Sequence, residues 1–306
     1  MSRHKLRWIR WEFILKSKKL GGMGLGEIRL FNLAIISKWW WRFASNPDDL
    51  WVSVVKAIHG SSSSELPTSI PLKNSIPGLW KDICSVNPAL EKMGVSLKDK
   101  LVESEGRWKW GTEMNGSFSV KQVRSDLEKA SNDSEGFIYV WNNWAPPKVN
   151  YLLWRAIFGK VASRVGLAKR GVPILDCSCP RCGLYIEDPD HLFFKCIWSR
   201  SVWWILLTWM RIKFPIEIAN LRELIGYIQN QPGSINWKRV VYTVALATVW
   251  RIWKARNEMI FEGRFIPVSN IVEQVKDDVL FWISNRTKVP SPGWVEWRSF
   301  DISIML

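Results

Sequence analysis

Histidine is nearly absent from this chain, with three among 306 residues, and there are only five cysteines. So few cysteines over that length exclude the disulfide framework on which small secreted domains depend. Long hydrophobic runs are missing too. The longest uncharged apolar stretches, Ser201–Met210 and Val240–Trp250, are far too short to span a bilayer. The start, MSRHKLRWIRWEF, has charge but no uninterrupted apolar region of the signal-peptide kind. These absences predict a soluble intracellular protein, nuclear or cytoplasmic, with no membrane partner.

Catalytic signatures are equally scarce. The sequence has no GxxxxGK[ST], no GxGxxG following a strand and no HExxH. The run GGMGLG at 21–26 follows no predicted strand and reads as a hinge. Two-metal polymerase or nuclease chemistry needs carboxylates held on rigid strands. The pair Asp48–Asp49 instead follows a proline in a turn, and Asp277–Asp278 sits in the middle of a predicted helix. No catalytic residue and no small-molecule substrate are predicted.

Tryptophan and positive charge are abundant. There are 22 tryptophans against 5 tyrosines, which points to wide helix–helix seams with some exposed aromatic surface. The formal net charge is +15, a balance that attracts polyanions, of which nucleic acid is the commonest intracellular example. The excess is uneven, with eleven Lys/Arg and four Asp/Glu in residues 1–60.

Periodicity predicts a mainly α fold: helical segments around a small zinc module, with a short β-hairpin near 107–120. Residues 1–60 form a basic helical segment, broken by glycines at 21–26 and resuming over about Leu30–Phe43 and Leu50–Ile58. Residues 61–79, rich in serine and proline, read as a linker. Strands are expected at Arg107–Trp110 and Ser117–Val120 around a turn at Glu113–Gly116. Ser119 would then cap a helix running through Leu127. Residues 131–136 read as a polar loop. Two helices broken at Gly159 fill 146–170, with Pro147 in a first turn, and another runs from about His191 to Met210. A linker at 215–235 holds a short helix, Ile218–Ile228. Two helices, Asn236–Phe261 and Ser269–Thr287, make a C-terminal segment over 236–306 that ends in a proline-rich tail.

The chemistry concentrates at Cys179-x2-Cys182 and His191-x4-Cys196. Two cysteines on a tight knuckle can reach one ion, and a His and a Cys five positions apart can join them if the helix opens slightly in its first turn. Four such ligands close a tetrahedral Zn²⁺ site and leave no position for water, so the site would serve folding rather than catalysis. Gly183 suits the knuckle because such a turn often needs positive φ. The competing reading is ordinary buried thiols with a surface histidine. Cys177 could compete for the ion, but a Cys-x-Cys pair is the poorer chelate. Cys84, isolated in sequence, reads as a small core residue.

With these motifs in place, the chain resembles the C-terminal part of a plant-type non-LTR (LINE-like) retrotransposon reverse transcriptase. Its zinc segment is similar to that family's reverse-transcriptase zinc-binding domain. The resemblance rests on GSFSVKQVRSDL (116–127), WNNWAPPKVNYLLWRAIFGKVASRVGLAKRGV (141–172), CPRCG (179–183) and DHLFFKCIWSRSVW (190–203). It departs at Tyr151, where the family more often has Phe. KKLGGMGLGEIRLFNLAIISKWWWRF (18–43) resembles the stretch downstream of the polymerase palm, and VWRIWKARNEMIFEG (249–263) a stretch that follows the zinc domain. On this resemblance the zinc-binding domain covers 80–214. The family's aromatic-Ala-Asp-Asp motif does not occur in the sequence, so the resemblance implies descent from an RNA-directed DNA polymerase without polymerase activity here.

Two functions remain open at this stage. One is non-specific RNA or DNA binding, which the family resemblance implies and the charge permits. Its candidate phosphate contacts are Arg155, Lys160, Arg164, Lys169, Arg170, Arg181 and Lys195, the cations flanking the zinc module. The other is a zinc-stabilised structural or protein-interaction domain with no nucleic-acid role.

Overall fold

Helix-start residues and buried apolar stripes place the chain's elements. A computed structural model describes residues 8–18, 21–60, 78–104, 107–111, 117–130 and 139–305. Most of the linker predicted at 61–79, the turn at Glu113–Gly116 and the loop at 131–136 lie outside the described residues. The chain divides into two units, residues 10–139 and residues 140–306 together with 1–9.

The first unit contains α1 (Trp11–Leu15), α2 (Ile28–Ser45), α3 (Leu50–His59), α4 (Leu79–Glu91), β1 (Leu101–Ser104), β2 (Arg107–Trp110) and α5 (Val120–Ala130). Helix α2 packs against α4, α5 and β2. Trp40, Phe43, Val52, Leu90, Leu97, Val123 and Leu127 are almost wholly buried there. Cys84 belongs to this core, and burial pushes its thiol up to about 11. The hairpin differs from the expected one. β2 pairs antiparallel with β1, Leu101 opposite Trp110, whereas 117–119 run irregularly into α5. The cause is local: Ser119 Oγ accepts the Gln122 N–H at 3.3 Å, committing those residues to a helix start.

The second unit is built around one long helix. Its elements are α6 (Pro147–Ile157), α7 (Arg164–Ala168), a π-helical turn at His191–Lys195, α8 (Ile197–Trp209), α9 (Leu221–Gln229), α10 (Ile235–Glu262), α11 (Val268–Arg286) and α12 (Trp294–Arg298). Every residue of α10 from Val240 to Val249 is buried, so this helix is covered on all sides, by α6, α8, α9, α11 and the π turn. Its ends follow from its sequence. Ser234 Oγ accepts the Trp237 N–H at 3.1 Å, and Gly263 adopts the left-handed conformation, φ 65°, that closes the helix.

A buried polar network anchors α6 to α10. Asn142 Nδ2 donates to Thr243 Oγ1 at 2.8 Å, and the Asn142 N–H donates to Asn150 Oδ1 at 2.9 Å. Leaving such groups unpaired would cost about 1–3 kcal/mol each. The proline-rich tail also holds structure the sequence did not announce. Trp297 of α12 is fully buried and meets Trp209 edge-on, with ring centroids 5.0 Å apart.

Nine of the 22 tryptophans are buried, Trp40, Trp154, Trp203 and Trp297 among them, while Trp11, Trp39, Trp204 and Trp294 are exposed. Among the described residues no helix is long and apolar enough to cross a membrane.

Candidate metal centre

The four donors come from two short segments of the second unit. In the first, the chain folds back on itself: the Cys179 N–H donates to Tyr185 O at 2.7 Å and the Gly183 N–H donates to Cys179 O at 2.8 Å. Ser178 bridges Ile186 across this knuckle. Gly183 has φ 66° with open space where a Cβ would be, so glycine is there for the backbone conformation and not for room.

The second segment is the π turn. The Cys196 N–H donates to His191 O at 2.9 Å, a bond spanning five residues that widens the turn and brings both side chains to one face. The helix expected from His191 to Met210 is therefore interrupted. Cys196 is extended, φ −58° and ψ 132°, before α8 begins. That break lets its sulfur turn toward the knuckle. The Asp188 carboxylate holds the entry to the turn, accepting the His191 N–H at 2.7 Å.

Together these segments place the Cys179, Cys182 and Cys196 sulfurs and a His191 ring nitrogen within 4.8 Å of one another. Cys179 and Cys196 sulfurs are 3.9 Å apart, and Cys182 Sγ is 3.3 Å from His191 Nε2. In a tetrahedron with metal–sulfur bonds of about 2.3 Å and a metal–nitrogen bond of about 2.0 Å, these edges are about 3.8 and 3.5 Å. The donor set and its spacing thus fit a tetrahedral divalent ion.

Proton chemistry agrees. The hydrogen bond from Cys196 holds the Cys179 thiol well below its ordinary value, with the Arg181 and Cys182 N–H groups assisting. The Cys196 thiol is pushed up by that same bond, by burial and by the adjacent thiolate charge, against the Trp198 and Ser199 N–H groups. Two buried sulfurs so close cannot both ionise without a neighbouring cation, and a bound metal would supply one. Cys177 stands apart from the cluster; its carbonyl accepts the Glu187 N–H at 2.8 Å. Accordingly Cys177→Ser should leave metal content unchanged, whereas Cys182→Ser should abolish it. Atomic absorption on the two purified variants checks this, and metal lost from Cys177→Ser would overturn the ligand assignment.

The cations singled out from the sequence divide into two groups. Lys160, Lys169 and Lys195 are exposed. The four arginines are engaged within the unit. Arg155 donates to Lys160 O at 2.8 Å, and Arg164 donates to Ser178 O at 2.8 Å. Arg170 donates to Gly166 O and stacks over Trp8 at 4.1 Å. Arg181 lies 3.8 Å over the Trp198 ring and donates to Ile266 O at 3.2 Å.

One residue beside the centre carried no sequence signal. Glu187 is wholly buried and accepts from Arg256 Nη2 at 2.7 Å, Arg256 Nε at 3.2 Å and the Arg164 N–H at 2.8 Å. A single glutamate in a loop looks like any solvated one, and its partner is 69 positions away.

No curated protein and no solved structure matches this chain. A family model does match, and its span, from just before α5 to within α8, contains all four donors. Residues 118–203 match the family described as zinc-binding in reverse transcriptase.

Proposed function

We propose that the ion is zinc, held for structure, and that the chain is a nucleic-acid-binding segment of a LINE-like, plant-type reverse transcriptase without polymerase activity of its own. The observation that carries the reading is the closed three-cysteine, one-histidine cluster inside the span that matches the reverse-transcriptase zinc-binding family. Four protein donors fill a tetrahedral ion, which leaves no place for a substrate or an activated water. Sulfur-rich tetrahedral sites select zinc over the hard, oxygen-preferring ions.

Support for a polyanionic partner is the net charge of +15 and the exposed Lys160, Lys169 and Lys195 around the centre. Exposed Trp204 offers a ring on which an unpaired base could stack. One set of observations favours the structural alternative: Arg155, Arg164, Arg170 and Arg181 are already occupied with carbonyls and rings.

The two readings separate in one titration. Fluorescence anisotropy with a labelled single-stranded RNA at low salt should show binding by the zinc-loaded protein. Binding no tighter than that of a neutral control protein would leave the structural reading standing. Primer extension on an RNA template should give background only. Extension lost on replacing a carboxylate of this chain would refute the absence of polymerase activity.

A further inference from the structure

The metal ligands end at Cys196, yet three contacts tie their segments to residues 253–266. The first is the buried ion pair already described, Glu187 with Arg256 of α10, in which the two side chains are 0% and 4% exposed. Glu187 belongs to the knuckle's own framework. Its N–H donates to Cys177 O, its carbonyl accepts the Val165 N–H, and its carboxylate accepts the Arg164 N–H. The second contact is Arg181, which lies between the two knuckle cysteines in sequence. Its guanidinium is placed over both Trp198 and Phe265, and its Nη1 donates to Ile266 O at 3.2 Å. The third is the π turn, where Phe193 stacks on Trp253 with centroids 6.2 Å apart.

Charge gives these contacts a direction. Three thiolates around a divalent ion would leave one net negative charge in a mostly buried site. The carboxylate of Glu187 would add a second negative charge nearby, and the buried guanidinium of Arg256 neutralises it through a forked, two-bond contact.

We infer that the C-terminal part of α10, from Trp253 onward and beyond the matched span, is the rear wall of the metal centre, with Glu187 and Arg256 acting as positioning residues that hold the knuckle ready for the ion. This rests on the reading of the cluster as a zinc site. Neither residue touches the ion; both fix the loop that presents Cys179 and Cys182. Residues 253–266 are then a component of the zinc module and not a separate segment. Outer residues that orient metal ligands typically account for 10–100-fold in affinity.

The experiment compares zinc affinity of the full chain, measured by competition with a chromophoric chelator, among wild type, Glu187→Gln and Arg251→Gln. Arg251 makes an equally close pair with Asp278, at 2.6 Å, that joins α10 to α11 and involves no residue of the metal segments. Arg251→Gln therefore reports any general loss of stability. Glu187→Gln should weaken zinc binding about 10–100-fold, while Arg251→Gln should stay within about twofold. Equal losses in the two variants, or no loss in Glu187→Gln, would overturn the inference while leaving the zinc reading intact. Wild type that takes up no zinc would overturn both. Hydrogen exchange on the wild type avoids dependence on a variant that fails to fold. Amides around Arg256 should exchange more slowly with zinc than after its removal, and equal exchange would also overturn the coupling.

Discussion

Removing the ion with a strong chelator is expected to lower the thermal midpoint of the second unit by tens of degrees. Structural zinc contributes on the order of 10 kcal/mol in small peptides, because the ligands are assembled only when the ion is bound. For a domain of this size, 1 kcal/mol shifts the midpoint by about 2–4 °C, so the full amount corresponds to about 20–40 °C. The unit's own core, built on α10, would retain helix without the ion, so the knuckle and π turn should lose protection first. The first unit contains none of the four donors, so its transition should not move. Calorimetry before and after chelation gives both readings at once. A second-unit midpoint that stays within a few degrees would mean that the thiols pack as well without metal.

Binding to duplex DNA should weaken about a thousandfold when salt rises from 50 to 200 mM, the next largest effect. Neutralising Z phosphates gives a logarithmic slope of about −0.9Z, and about six contacts over a fourfold salt change correspond to roughly three decades. Single strands should follow a shallower slope, about −0.7 per phosphate. The exposed lysines now carry this prediction more than the arginines do. Replacing Lys160, Lys169 and Lys195 by Ala should reduce the duplex slope by about 2.7, if each neutralises one phosphate. Arg164 and Arg181 are poor choices for that test, because removing them also removes contacts to Ser178 and Ile266 carbonyls. An unchanged slope in the triple variant would place the phosphate contacts elsewhere, the basic N-terminal segment first among them.

Some of this was legible in sequence because the determinants are local. Ser119 before an apolar-periodic run starts α5, and Pro147 sits in the first turn of α6. The Cys-x2-Cys and His-x4-Cys spacings suffice to bring four donors together because each segment is a single turn.

What was illegible depends on partners far along the chain or on competition between rules. The hairpin was misplaced because Arg107–Trp110 has a strong aromatic strand pattern but its partner, Leu101–Ser104, has a weak one. Helical periodicity runs unbroken through 191–210, so only the donor geometry explains why Cys196 leaves it. Glu187 has no local signature at all, since its burial is made possible by Arg256.

The claim that most of the rest depends on is the identity and number of the bound ion. The full chain, purified without chelator and measured by elemental analysis, should contain one zinc per molecule and lose it in Cys182→Ser. Protein that is folded and free of zinc, or that retains its zinc in Cys182→Ser, would contradict the account.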